Sequence, residues 1–372
     1  MRVLHVLRDL SRNGGVQRLV HDLALAGLRR GQQPEVVVFH RDAGLDYADA
    51  LRAAGVPVHH VARWQWLRLA GLLRRADAVH AHLFPALYLV GLMKPGSVYT
   101  EHNTTNNRRK RAWLQPAERF MYRRYRHVTC ISPEVQQALR GFLRTGANDN
   151  SCVIYNGVNQ PALAAQAQAA RQLLAGAEGS VARGYRLAMV GSMTPKKDQA
   201  TLIRALAKLP VQGGHPASLH LAGDGPEREA LLALARAEGV AGQVVFHGVV
   251  ADVPAWLAGM DLYVQSSKWE GFGLAAIEAM ACGLPVLCAD VPGLSQLAND
   301  SSLLFKQGDA DQLAAMVQDC RSNPARRAHL LAVGQETAVR YSVETLAAEL
   351  ERLYAAPAPS VPPGAAQPRG AA

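Results

Sequence analysis

Apolar and polar positions in the first 160 residues alternate between two patterns: short β-branched runs, and stretches with apolar residues three and four apart. Arg2–Leu7 (RVLHVL) and Pro34–His40 (PEVVVFH) have the first character. Between them, Val16, Leu19, Val20, Leu23 and Leu28 mark one face of a helix, with Gly31 as its stop signal. Further strand-like runs follow at PVHHV, AVHAH, SVYTEH, HVTCIS and SCVIYN. This is the rhythm of a doubly wound parallel sheet. It lapses in an Ala/Gln-rich segment, 161–184, that reads as a linker containing a helix, and restarts at Tyr185. Strands are expected at RLAMVG, SLHLAGDG, VVFHG, DLYVQSS and PVLCAD, with helices at DQATLIRALAKL and EREALLALARAEG. The fold class is therefore α/β, with two Rossmann-like domains at 1–160 and 185–340. A last helix, 341–356, could belong to either domain, and the Pro/Ala-rich end, 357–372, reads as a disordered tail. Two such sheets are expected to face a cleft, with ligands where strands end and helices begin.

Composition narrows the class. The chain has 372 residues, enough for two α/β cores, and is 49% hydrophobic and 19% charged, which argues against disorder. Five cysteines form no C-x-x-C pair, so reduced thiols and a cytoplasmic protein are expected. Neither a signal peptide nor a membrane span is apparent. The net charge of +10 is uneven: residues 1–160 carry 23 Lys and Arg against 11 Asp and Glu, and the remainder 17 against 19. Only the first half is basic. Basic and aromatic residues interleave in Ala62–Arg75 (ARWQWLRLAGLLRR) and from Arg108 to Arg126, the look of a face that meets an anionic bilayer. No nucleic-acid motif accompanies them.

Candidate chemistry lies at the strand ends. Gly14 and Gly15 follow the first strand, where glycine lets backbone N–H groups approach a phosphate or sugar; the G-x-G-x-x-G spacing of dinucleotide folds is absent. Ser192, Lys196 and Lys197 (VGSMTPKKD) end the first strand of the second half, where two cations ahead of a helix suit an anion. In SSKWEGFGLAAIEAMACGLPV, Glu270 precedes a Gly271-Phe272-Gly273 turn and Glu278 sits within a short helix from Leu274 to Cys282. A carboxylate among small residues calls for hydrogen-bond donors, which a ribose diol supplies. Glu101, His102 and Asn103 end a first-half strand. Asp309 and Asp311 have D-x-D spacing but precede an apolar-periodic run, so a helix cap is expected there and no metal.

The E-x7-E run EGFGLAAIE with AMACGLPV after it resembles the signature of family 4 retaining glycosyltransferases of the GT-B fold. GGVQ, TEHN, VIYNGV, VGSMTPKKD, LHLAGDGPER and ADVPGL fall in that family's order. The resemblance implies a nucleotide-sugar donor on the C-terminal domain, an acceptor on the N-terminal domain, and neither metal nor cofactor. It implies Lys197, Glu270 and His102 as catalytic residues. Donor binding would fall to Gly15, Ser192, Lys197, the backbone around Phe272, Gly273 and Leu274, the ribose-holding Glu278, and Phe246 and His247 by the base. Gly14, Glu101, Asn103 and Asn156 would serve the acceptor or hinge. Many members carry Arg where this chain has Ser192, which shifts the burden of the leaving phosphate towards Lys197. A glycan or polyprenyl-linked acceptor at the inner membrane face is the expected partner. A nucleotide-sugar epimerase or hydrolase, or a non-catalytic sugar-nucleotide binder, are the alternatives.

Overall fold

The computed structural model describes residues 1–11, 15–40, 47–62, 64–104, 108, 109, 111–147, 149–177, 184–297 and 300–355. The chain divides into two compact units, Met1–Ile154 with Ala347 onwards, and Tyr155–Leu346. The first holds seven strands: β1 (Arg2–Leu7), β2 (Gln33–Val38), β3 (Val58–His60), β4 (Ala78–His82), β5 (Val98–Glu101), β6 (His127–Cys130) and β7 (Ser151–Val153). All pair in parallel in the order β3-β2-β1-β4-β5-β6-β7. The second holds β8 (Arg186–Val190), β9 (Ser218–Ala222), β10 (Val244–Gly248), β11 (Leu262–Gln265), β12 (Val286–Ala289) and β13 (Leu304–Phe305), also parallel, in the order β10-β9-β8-β11-β12-β13. Both sheets have the strand order of doubly wound nucleotide-binding folds, in which the reversal point lies beside the first strand.

The segment read as a linker is largely the helix Gln160–Ala177, which packs on the helices Val253–Ala258 and Leu274–Ala281. Leu163 and Ala167 are buried, and Arg171 donates to the Cys282 carbonyl across 2.5 Å. The segment thus belongs to the second unit's core. The helix Val343–Ala355 joins the first unit from Ala347 on: Glu351 pairs with Arg30 at 2.5 Å, and the Tyr354 hydroxyl lies 2.7 Å from His80 Nδ1. The Pro/Ala-rich end lies outside the described residues. No described helix is long and apolar enough to cross a membrane, and all five cysteines are free thiols.

Parallel strands covered on both faces are normally apolar throughout. The first sheet departs from this. His5 is the register partner of His80, His82 of Thr100, and Thr100 of Thr129, so alternation puts all five on one buried face. The Thr100 hydroxyl lies 2.6 Å from both His80 Nε2 and Thr129 Oγ1. His5 Nδ1 faces His82 Nε2 at 3.4 Å, and His82 Nδ1 faces His102 Nε2 at 3.4 Å. Burial pushes His5 down to about 4 and His102 to about 3, and His80 and His82 well below the usual histidine value, so all four rings are neutral at pH 7.

Much of the basic, aromatic sequence turns inward. Arg108 Nε lies 3.0 Å from the fully buried Glu118, which also accepts from the Tyr88 hydroxyl. Arg119 donates to the Leu143 and Arg144 carbonyls, and Arg124 to that of Gly91. These contacts hold the helix Gln115–Arg123 and its neighbours in place, while Arg68, Arg74, Arg75, Arg111 and Arg123 are exposed. Trp64, Trp66, Leu67 and Trp113 do face solvent. Glu118→Ala, which removes the buried carboxylate that Arg108 and the Tyr88 hydroxyl share, should lower stability by about 3–5 kcal/mol, read as a fall in the thermal midpoint. An unchanged midpoint would contradict the anchoring role of this pair.

Candidate functional site

The candidate site of the second unit is built where β8 and β11 end side by side. Beyond β8, the loop Gly191–Asp198 leads into the helix Gln199–Ala207; beyond β11, Ser266–Gly273 leads into the helix Leu274–Ala281. Backbone and side chain knit the two loops together. Lys268 N donates to the Lys196 carbonyl at 2.8 Å, and the buried Ser266 hydroxyl donates to the Asp198 carbonyl at 2.9 Å.

This brings Lys197 and Glu270, 73 residues apart, into an ion pair of 2.5 Å. The Lys197 side chain is 17% exposed and that of Glu270 9%. Glu270 Oε1 also accepts from Ser267 Oγ at 2.7 Å and from Gln265 Nε2 at 3.1 Å, while no described residue bonds Oε2. One oxygen is held by three donors and the other has no hydrogen-bond partner among the described residues. Lys196 lies beside it with Nζ 3.4 Å over the Trp269 ring, and burial lowers its pKa. The two lysines precede the helix Gln199–Ala207, and neither is simply solvated.

The turn after Glu270 can exist only with glycine in two places. Gly273 caps the helix at φ 75°, where a Cβ would come within 2.5 Å of Leu294 and 2.9 Å of Leu297. Gly293 of ADVPGL, at φ 87°, presses against the Glu270 backbone so closely that a Cβ would lie 2.1 Å from its carbonyl oxygen. Glu270 N donates to the Pro292 carbonyl in the same contact. The Phe272 side chain is buried, stacked on Tyr155 at 5.2 Å and edge-on to Tyr341 at 5.1 Å, so it anchors the turn and leaves only backbone for a ligand. Glu278 is half-buried on the second turn of the Leu274–Ala281 helix. Burial raises the Tyr263 hydroxyl well above its usual value, and the charges of Glu270 and Glu278 raise it further, so both carboxylates lie within electrostatic reach of it. Ser192 is exposed at the end of β8.

Phe246 and His247 lie in β10, on the far side of β9. Arg228 covers the Phe246 ring at 5.7 Å, and His247 Nε2 lies 3.0 Å from His220 Nδ1. Asn156 is buried just past the division between the units. Asp309 is a helix cap, its carboxylate accepting from Gln312 N at 2.9 Å, and Asp311 pairs with Lys208.

In the first unit, Glu101 ends β5 fully enclosed. Tyr122 donates to it at 2.5 Å and Asn103 N at 3.1 Å, and Arg109 Nη2 stands 2.8 Å away as a charge pair. These contacts occupy the carboxylate, so its visible work is to hold the loop that carries His102 and Asn103. Asn103 itself is exposed, and His102 Nδ1 is buried with no hydrogen-bond partner among the described residues. Gly15 opens the helix Gly15–Arg29 in open space, with nothing within 4 Å of a would-be Cβ, so packing does not explain the glycine. Gly14 lies outside the described residues. At the ends of β1 to β4 an apolar cavity of about 540 Å³ is lined by Phe39, Val61, Trp66, Leu69, Phe84 and Leu89, with Arg8 and His40 among its polar members.

Sequence reasoning missed Gln265, Ser267 and Trp269, which shape the Lys197–Glu270 pair, and the His5, His80 and His82 row. A signal for the row was present: histidines two apart in a strand must share a face. No local signal foretold the lysine–glutamate contact, which depends on which strands are neighbours.

Residues 13–160 match the family described as Glycosyltransferase Family 4, and residues 174–336 that described as Glycosyl transferases group 1. The O-antigen chain mannosyltransferase B of Escherichia coli is 30% identical over 175 residues, 46% of this chain and 46% of that protein. The lipopolysaccharide core biosynthesis glycosyltransferase LpsE of Rhizobium meliloti (strain 1021) is 34% identical over 152 residues, 40% of this chain and 43% of that protein. The chain thus spans under half the length of each of these curated relatives. Anabaena HepE, solved with UDP and glucose, shares the fold: TM-score 0.74 at 22% identity, over 95% of this chain and 99% of that one. The chain thus carries a Glycosyltransferase Family 4 domain in its first part and a Glycosyl transferases group 1 domain in its second, on two parallel-sheet α/β units of the GT-B kind.

Proposed function

We propose that the protein is a retaining glycosyltransferase that moves a hexose-type sugar from a nucleoside diphosphate to a glycan or lipid-linked acceptor in cell-surface polysaccharide synthesis. The observation that carries this reading is the Lys197–Glu270 pair at the N-terminal end of a helix, with Glu270 Oε2 unbonded by any described residue. A nucleotide sugar offers both partners a better match. Its diphosphate takes the ammonium, and its sugar hydroxyls donate to the carboxylate.

In the proposed reaction the bond from the anomeric carbon to the diphosphate breaks, and the acceptor hydroxyl bonds to the same face of that carbon. The hydroxyl proton passes to the departing phosphate oxygen. Negative charge grows on phosphate as the bond lengthens, and Lys197 with the turn N–H groups of Phe272, Gly273 and Leu274 stabilises it. Ser192 adds a hydroxyl there without charge, and Glu278 takes the ribose diol. Phe246 and His247 are assigned to the base. From the first unit we assign Gly15 to the phosphate and His102 to the sugar, while Asn103 and the apolar cavity at the ends of β1 to β4 suit an acceptor with an apolar part. Transfer on this scheme asks for no metal at the diphosphate. The names of the relatives, O-antigen and lipopolysaccharide core enzymes, favour an envelope glycan as acceptor, and the exposed Trp64, Trp66 and Leu67 favour work at the inner membrane face.

Two measurements test the reading. Lys197→Ala and Glu278→Ala should each reduce transfer at least about 100-fold while far-UV circular dichroism stays native; near-normal turnover in either removes the assignment. In a thermal-shift screen of UDP-, GDP- and ADP-sugars, the true donor should raise the midpoint in proportion to its saturation. Stabilisation by none of them would count against a nucleotide-sugar enzyme.

A further inference from the structure

The imidazoles buried in the first sheet have no part in the reaction above, apart from His102. His5 and His80 are register partners on β1 and β4, and His82 follows two residues later, so three rings converge from two strands. We propose that His5, His80 and His82 form a binding site for a divalent transition metal of the zinc class inside the first unit.

The spacing fits coordination. Two nitrogens on one tetrahedral zinc, each about 2.0–2.1 Å from the ion, lie about 3.3–3.4 Å apart. His5 Nδ1 and His82 Nε2 are 3.4 Å apart. The three ligand atoms all lie within 4.8 Å of one another, so a modest turn of the His80 ring completes the set.

Two of the three imidazoles have what a histidine ligand requires, a partner on the nitrogen turned away from the ion. His82 has His102 Nε2 at 3.4 Å on its other nitrogen. His80 has the Tyr354 hydroxyl at 2.7 Å on Nδ1 and the Thr100 hydroxyl at 2.6 Å on Nε2; whichever nitrogen turns to the ion, the other keeps a partner. Neutral imidazoles with no thiolate or carboxylate among them select zinc, cobalt, nickel or copper over magnesium and calcium. A bound ion would tie β1 to β4. It would also fix the proton on His82 Nδ1, so that His102 accepts at Nε2 and carries its own proton on Nδ1, the atom with no described partner.

The test uses the full, tag-free chain, stripped with a chelator and titrated with Co²⁺. One equivalent should bind with the visible absorption of tetrahedral cobalt, and Zn²⁺ should displace it. His5→Gln and His82→Gln should each weaken binding at least about 10-fold. His220→Gln, which removes the close imidazole pair of the second unit, should change nothing. Because substitutions in this core can impair folding, X-ray absorption at the zinc edge of the wild-type protein supplies a second readout. Three nitrogen neighbours of imidazole type at about 2.0 Å are expected. The proposal is overturned by no stoichiometric uptake, by sulfur neighbours at the ion, or by binding that survives in His5→Gln and disappears in His220→Gln.

Discussion

An ammonium and a carboxylate 2.5 Å apart, both largely withdrawn from water, set the terms for the second unit. Each group would be costly to bury alone, on the order of 3–5 kcal/mol if its partner were removed, so the fold must deliver both together. The parallel pairing of β8 with β11 does this by ending two strands at one level, one carrying lysine in its loop and the other glutamate. Ser266 and Lys268 fasten the loops, Gln265 and Ser267 hold Glu270 Oε1, and Gly293 lets a third loop close over the Glu270 backbone. Displacing any one of these would leave a buried charge unmatched.

On the proposed function, the pair lets the site be stable when empty and still bind an anion: Lys197 is matched by Glu270 until a diphosphate arrives, and Oε2, which no described residue bonds, is the oxygen for the sugar. The aromatic stack of Tyr155, Phe272 and Tyr341 fixes the turn by burying its one large side chain. Cation and carboxylate are thus held in place before any ligand binds, which is what the proposed stabilisation of a departing phosphate demands.

The architecture was legible because it depends on periodicity. Most strands of both sheets announce themselves as short, largely apolar runs between turn signals, and Gly15–Arg29 as a 3.6-residue pattern. The proposed role of Glu278 rests on a break with local expectation, a carboxylate in a helix of small residues. What was not legible was pairing. Glu101 looks from its position like a ligand group, yet Tyr122, Arg109 and Asn103 enclose it. Arg108, Arg119 and Arg124 look like surface cations, yet each holds a carboxylate or a carbonyl of a neighbouring segment, because charge count carries no information about which acceptors lie nearby. The Ala/Gln-rich segment looks like a linker because alanine-rich helices show weak amphipathicity, yet its Leu163 and Ala167 are core.

The central claim is that Glu270 holds Lys197 in trust for a diphosphate and then turns to the sugar. Calorimetric titration of the free nucleoside diphosphate into wild type and Glu270→Gln measures this most directly. The account predicts that Glu270→Gln binds the diphosphate at least as tightly as wild type, because the lysine is no longer claimed, while affinity for the intact nucleotide sugar falls. A loss of affinity for both ligands in parallel, or no change in either, would contradict it.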